Sequence, residues 1–224
     1  MKTIGILGGL GPESTVSYYT HITRRYYEMR GDYAYPTIVV YSMSFRPIIE
    51  AGYDAPDEVL GALESLHRAG ADFAVAACNS IHLVYETVAP QAPIPWMSIM
   101  DATAESIKEN RLSRLGLLGT RFTMGKGFYQ RALARHGIEA IVPDSEAQQE
   151  INRIIFDELV RNEVCLDSRT FVQECIETLR QRGAEGIVLG CTELPFLIRQ
   201  EDSPLPVFDT AAIHARKALA VAME

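Results

Sequence analysis

The chain has 224 residues, 47% of them apolar and 22% charged, with a formal net charge of −8. That length allows one large domain or two of about half the size, and the composition excludes collagen-like and low-complexity architectures. A net negative chain without a basic stripe argues against nucleic acid as a partner. No apolar run nears the roughly 18 residues of a membrane span, so no membrane partner is expected, and the opening MKTIGILGGLGPES has too short an apolar run to read as a signal peptide.

Short β-branched runs alternate with amphipathic stretches along the chain. The first half predicts strands at 3–7, 37–41, 73–77 and 97–99, with helices at 14–29, 56–68, 80–88 and 102–109. Within 56–68, Val59, Leu60, Leu63 and Leu66 fall on one side. The second half predicts strands at 114–118, 140–142, 186–189 and 207–208, with helices at 127–135, 150–161, 168–182, 194–199 and 211–222. SMSFRP, at 42–47, reads as a loop. Such alternation gives an α/β fold of parallel sheets covered on both faces by helices.

The halves repeat one another. RAGADFAVAACN at 68–79 parallels QRGAEGIVLGCT at 181–192, which sets Cys78 and Cys191 at matching points 113 positions apart. IGILGG from Ile4 parallels LGLLGT from Leu115, and the prolines Pro95 and Pro206 of two further similar segments are 111 apart. Three correspondences at nearly one offset imply an internal duplication. The expected organisation is an N-terminal lobe over 1–100, with the last helix (209–224) packing back on it, and a C-terminal lobe over 101–208.

Each lobe therefore presents one cysteine directly after an apolar strand, where open α/β sheets build their sites. Two lobes related by a pseudo-dyad would set Cys78 and Cys191 on opposite walls of one cleft. A helix start after each would lower the thiol pKa from about 8.5 toward neutrality. Paired proton-transfer groups suit racemisation of a carbon acid, which must serve both faces of one carbon. A disulfide-exchange centre would want C-x-x-C, which is absent, and a zinc site would want more ligands than Cys78 and His82 supply, so no metal is expected. The four cysteines read as thiols of a reducing cytoplasm, with Cys165 and Cys175 as packing residues.

GGLGPEST at 8–15, CNSIH at 78–82 and GCTELP at 190–195 together resemble the aspartate racemase family of the aspartate/glutamate racemase superfamily, over nearly the whole chain. The resemblance implies a cofactor-independent amino-acid racemase without pyridoxal phosphate, dimeric, acting on a small-molecule amino-acid substrate, aspartate or glutamate. Its two catalytic cysteines match Cys78 and Cys191, the latter facing the L-enantiomer. Some relatives replace the first cysteine with threonine; this chain keeps both. Hydantoin racemisation, arylmalonate decarboxylation and maleate isomerisation are alternatives within the superfamily, and a non-catalytic dicarboxylate binder is an alternative outside it.

The neighbours then acquire candidate roles. Asn79, Ser80 and Thr192 are candidates to hold the α-carboxylate and the enolate-like charge, or to cap the helices that follow. Glu193 stands where glutamate racemases carry histidine, and is a candidate to orient Cys191, to accept from the substrate ammonium, or to cap. The loop of Gly11 with Thr15 fails the G-x-G-x-x-G and P-loop patterns, so it is expected to offer amides and a hydroxyl to a carboxylate rather than to a nucleotide. Thr120 and Thr123 occupy the matching loop of the second half. A buried distal carboxylate needs a cation. Arg46, on the SMSFRP loop, and Arg161, where some relatives carry lysine, are the candidates. His82 matches a position of that family and is expected to steady the Cys78 helix or to tune that thiol. His21, His67, His136 and His214 are expected at the surface or the core edge. Tyr18, Tyr19, Tyr26 and Tyr27 are expected to divide between core and a subunit contact.

Overall fold

A computed structural model describes residues Met1–Glu224. The chain forms two compact units, Met1–Ala102 with Ala211–Glu224, and Thr103–Thr210.

The first unit is built on β1 (Ile4–Gly8), β2 (Ile38–Ser42), β3 (Phe73–Ala76) and β4 (Trp96–Met97), all parallel, in the order β2-β1-β3-β4. β1 and β3 are buried at every position, as parallel strands covered on both faces must be, whereas the edge strand β2 opens toward solvent. α1 (Pro12–Arg30) lies against one face. Pro12 opens it, Gly31 closes it in a left-handed conformation, and its Tyr18, Ile22 and Tyr26 pack with Ile4, Ile6 and Val75. The last helix joins this same core through Ala211, Ala215, Ala218 and Leu219. Tyr19 and Tyr27 lie on the exposed side of α1. α3 (Pro56–Arg68) buries Val59, Leu63 and Leu66, and Leu66 lies so near Gly5 that a Cβ there would meet it at 3.2 Å.

SMSFRP is not wholly a loop. α2 (Phe45–Glu50) begins within it, because Pro47 falls in the first turn, where a missing N–H breaks no helical hydrogen bond. α4 (Tyr85–Val88) and α5 (Ile99–Glu109) complete the elements of the first half.

The second unit repeats the plan with β5 (Arg114–Gly119), β6 (Glu139–Ile141), β7 (Gly186–Gly190) and β8 (Val207–Asp209), in the order β6-β5-β7-β8 and again parallel. α6 (Arg121–Gly125), α7 (Phe128–Arg135), α8 (Ser145–Arg153) and α9 (Leu166–Gln181) surround it, and α10 (Thr210–Met223) returns the chain to the first unit. Asp144 caps α8 by accepting from the Ala147 amide at 2.9 Å, so this helix starts five residues before the sequence reading places it. It does not continue unbroken to 161. A π turn at Ile154–Glu158 and a 3-10 turn at Leu159–Arg161 follow, and the pair Arg153–Glu158 (2.7 Å) spans five residues, the repeat of a π turn.

Gly9 illustrates how closely the loops at one end of the first sheet approach. Its φ is +80°, and a Cβ there would collide with the Met43 carbonyl oxygen and stand 2.6 Å from the Met43 nitrogen. Gly9→Ala combines a left-handed alanine with a backbone clash. It is expected to cost about 3 kcal/mol, read as a lowered urea midpoint at unchanged m.

Candidate functional site

In each unit the candidate residues gather at the carboxyl ends of the parallel strands. In the first, Gly8 pairs with Ser42 and Leu7 with Ala76, so the Gly9–Gly11 loop, Met43 and Cys78 emerge at one end of the sheet. In the second, Gly119 pairs with Gly190, so Thr120 and Cys191 emerge together. Both cysteines are buried free thiols.

The likeness extends to the threonines beside them. A Cβ on Gly8 would meet the Thr15 side chain at 2.6 Å, and one on Gly119 would meet Thr123 at 3.1 Å. Thr123 also lies 3.0 Å from the notional Cβ of Gly190, the residue before Cys191. Two glycines without side chains let the threonine close on the strand end.

Neither cysteine begins an α-helix. Cys78 precedes a 3-10 turn at Ser80–Val84, and Cys191 precedes a single 3-10 turn at Leu194–Phe196, whose Pro195 lies in its first residues. The reason at Cys78 is visible in its hydrogen bonds. The His82 backbone N–H donates to the Asn79 carbonyl (3.1 Å), in 3-10 register, while the Cys78 carbonyl accepts from the His82 ring at Nδ1 (2.9 Å). The single turn after Cys191 lacks the aligned dipoles of a long helix, whereas the 3-10 turn after Cys78 runs directly into α4 and on to Gln91, so the helix start expected to activate the thiols is missing at Cys191 only.

Cys191 has a different neighbour. Its Sγ donates to Glu193 Oε2 at 3.0 Å, and Thr192 Oγ1 donates to the same oxygen at 2.9 Å. All three side chains are buried. Glu193 thus holds the thiol and makes no side-chain cap of the following turn, and Asn79 likewise caps nothing although it is buried at the N-cap position. The capping alternative therefore fails for both. Ser80 is buried beside Asn79.

The remaining candidates divide. Thr15 turns its hydroxyl back on its own loop, accepting from the Gly9 amide at 2.9 Å and donating to the Gly11 carbonyl at 3.4 Å. That amide is thereby engaged within the loop, contrary to the expectation that it is presented to a carboxylate. Gly11 is buried as the N-cap of α1. Thr120 caps α6 through the Thr123 amide (3.2 Å), and the two hydroxyls lie 3.2 Å apart. Arg46 is exposed on α2, at the strand end shared with Met43, and Arg161 is exposed at the end of its 3-10 turn.

Two expectations about other side chains are overturned. His214 is not at the surface but fully buried, with Nδ1 2.8 Å from Tyr18 Oη and its ring 6.1 Å from that of His82. It lies on a helix apolar enough to be enclosed on nearly all sides. Cys165 does not pack in the core. It is exposed, in extended conformation, at the N-cap of α9.

His82 is the most constrained of the buried polar groups. Its Nδ1 faces the Cys78 carbonyl and its Nε2 accepts from the Ile99 amide at 3.2 Å, which together fix a neutral ring protonated on Nδ1. Burial lowers its pKa from 6.5 to about 4, against the pull of the nearby Cys78, Met97 and Asn79 carbonyls. Burial, and then the neighbouring His82, hold His214 well below its ordinary value too.

The sequence profile of the Asp/Glu/Hydantoin racemase family matches residues 7–218. The chain belongs to this family. It is 27% identical over 221 residues to a broad-specificity amino-acid racemase, RacX, of Bacillus subtilis, covering 95% of each chain. An aspartate racemase homologue from Pyrococcus horikoshii superposes with a TM-score of 0.88 at 38% identity, covering all of both chains. An aspartate racemase from Picrophilus torridus shares the fold, with a TM-score of 0.78 at 23% identity over all of this chain and 95% of that one. No helix of the chain is long and apolar enough to cross a membrane.

Proposed function

We propose that the chain is an amino-acid racemase that needs no cofactor, with Cys78 and Cys191 as the two proton-transfer groups. The observation that supports this best is the repetition of one device. Each sheet presents a buried thiol just beyond its third strand, behind a glycine-threonine contact. Family membership makes racemisation the reaction such a pair would perform.

In this reading Cys191, as thiolate, removes the α-hydrogen from the L-enantiomer, and the Cys78 thiol donates a proton to the opposite face. The reverse transfer serves the D-enantiomer. Glu193 accepts the Cys191 proton across the 3.0 Å contact, acting as a general base on the thiol. Asn79, Ser80, Thr192, Thr120 and Thr123 supply polar groups for the α-carboxylate and the charge that builds on it. Aspartate or glutamate is the favoured substrate. Arg46 is the stronger partner for its distal carboxylate, since α2 begins at the same strand end as the Cys78 turn. Arg161 is the second candidate.

We also read the protein as a cytoplasmic homodimer. Val16, Tyr19, Tyr27, Tyr33, Val40 and Tyr41 are exposed apolar residues on α1, the segment after it and the edge strand β2, a concentration that suits a subunit contact. Sedimentation equilibrium is its check.

The deciding experiment incubates the protein, without added cofactor, with a panel of L- and D-amino acids in deuterated water. Chiral chromatography and α-deuterium content then report the reaction and the substrate together. Interconversion with deuterium uptake is expected for an acidic amino acid. Ligand binding with neither signal would identify a binder instead.

A further inference from the structure

The geometry points to His82 as a positioning residue that fixes the Cys78 peptide through its Nδ1–H donor, with His214 and Tyr18 completing the buried surroundings that hold its ring in place. The inference deepens the reading above and rests on it to the extent that Cys78 is the group that reacts.

The argument begins from where hydrogen bonds go. In an α-helix the Cys78 carbonyl would accept from the backbone N–H of residue 82. Here that N–H is committed to Asn79, and the ring of the same residue takes over the carbonyl at 2.9 Å. The thiol-bearing residue is therefore held by a side chain rather than by the helical ladder. At its other end the ring accepts from the amide of Ile99, the first residue of α5. One imidazole joins the Cys78 turn to a separate element, and a buried peptide carbonyl would lose its partner if the donor were removed.

The ring has no room to swing. Tyr85 stacks on it at 5.9 Å, Trp96 lies at 5.1 Å and His214 at 6.1 Å between centroids. His214 is itself held by Tyr18 Oη at 2.8 Å. Among ionisable groups, Cys78, Asp101 on α5, Tyr85, His214 and Tyr18 surround this site, and Asp101 contributes the nearby negative charge that His82 senses. Protonating Nε2 would set a donor against the Ile99 amide, so the ring serves as a neutral tie and not as an acid.

Two substitutions separate positioning from bulk stability, because each removes one of the two hydrogen bonds. His82→Asn places an amide N–H near the former Nδ1 and loses the acceptor for Ile99. His82→Gln reaches the Ile99 amide with its carbonyl and loses the donor to Cys78. Both are read per folded molecule, with urea unfolding to set the folded fraction.

His82→Gln is expected to lower kcat about tenfold or more with KM changed less than about threefold, since a small misplacement of a reacting group is costly. His82→Asn is expected to keep kcat within about threefold of the parent. Alkylation of Cys78 by iodoacetamide, followed by mass spectrometry of its peptide, should accelerate about tenfold in His82→Gln and much less in His82→Asn. Equal effects of the two variants on kcat and on alkylation would overturn the inference. If no amino acid is racemised yet the alkylation split appears, the positioning role stands and the racemase reading fails. If racemisation is found and alkylation does not split, the opposite holds. Should neither variant fold, 15N chemical shifts of the parent imidazole decide. A neutral Nδ1–H ring at pH 7 is expected, and the other tautomer or a charged ring would refute the tie.

Discussion

Cys78→Ser is expected to reduce racemisation by about 10²- to 10⁴-fold, the range that a positioned acid or base contributes, while substrate binding persists. Cys191→Ser is expected to do the same. The swap is nearly isosteric at two buried sites, so folding should change little. What changes is acidity, because a hydroxyl does not form the conjugate base near neutral pH that a thiol does. The two variants should differ in a second readout. With Cys191 intact, Cys78→Ser can still remove and return a proton on one face, so deuterium enters the L-enantiomer without inversion. Cys191→Ser should label the D-enantiomer alone. Wild-type rates in either variant would end the two-thiol reading, and labelling of both enantiomers by one variant would mean that a single group serves both faces.

Glu193 is where this mechanism departs from its sequence-level form. A helix start after each cysteine was expected to make both thiols acidic by the same means. The turn after Cys191 is too short for that, and the Cys191 thiol instead meets a carboxylate. The pair is equivalent in fold position and unequal in surroundings. Cys78 has its carbonyl held by an imidazole, whereas Cys191 has its sulfur held by an oxygen.

The alternation of strands and helices was legible because fully buried parallel strands leave continuous apolar runs, and the duplication was legible because two sheets of one topology place glycine and cysteine at matched points. α2 escaped notice because Pro47 reads as a breaker unless the helix is known to start two residues earlier. The π turn after α8 escaped because its Arg153–Glu158 spacing fits no helical periodicity that a sequence pattern tests. His214 was misplaced for a different reason. Its partner Tyr18 is 196 positions away, and a histidine within TAAIHARKALAVAM carries no local sign of which side is enclosed. Hydroxyl side chains were legible as polar but not in direction. Thr15 and Thr120 bond within their own loops, which residue type alone does not reveal.

The buried histidines also predict how the fold responds to acid. His82 titrates near pH 4 in the folded chain against 6.5 when free, and His214 is lowered as well. Both folded values lie below the unfolded ones, so between those limits the unfolded chain binds protons that the native chain refuses. Stability from this source is complete above about pH 6.5 and falls as pH drops toward 4. His82 contributes a slope of about 1.4 kcal/mol per pH unit inside the window. By pH 5 the loss from His82 alone is about 2 kcal/mol, a large share of the 5–15 kcal/mol that stabilises a typical domain, and His214 adds to it in the same direction. The carboxylates whose pKa is lowered, Glu158, Glu177 and Glu185, act on the same side but lower down. Their contribution disappears only as pH falls through and below the ordinary carboxylate range, so the interval from 6.5 to 5 belongs to the imidazoles. Urea unfolding at pH 7.5, 6 and 5 should show this decline, and His214→Gln should leave a shallower slope. A stability that stays level from pH 7.5 to 5 would mean that the folded chain accepts those protons, and the neutral tie between Cys78 and Ile99 would have to be given up.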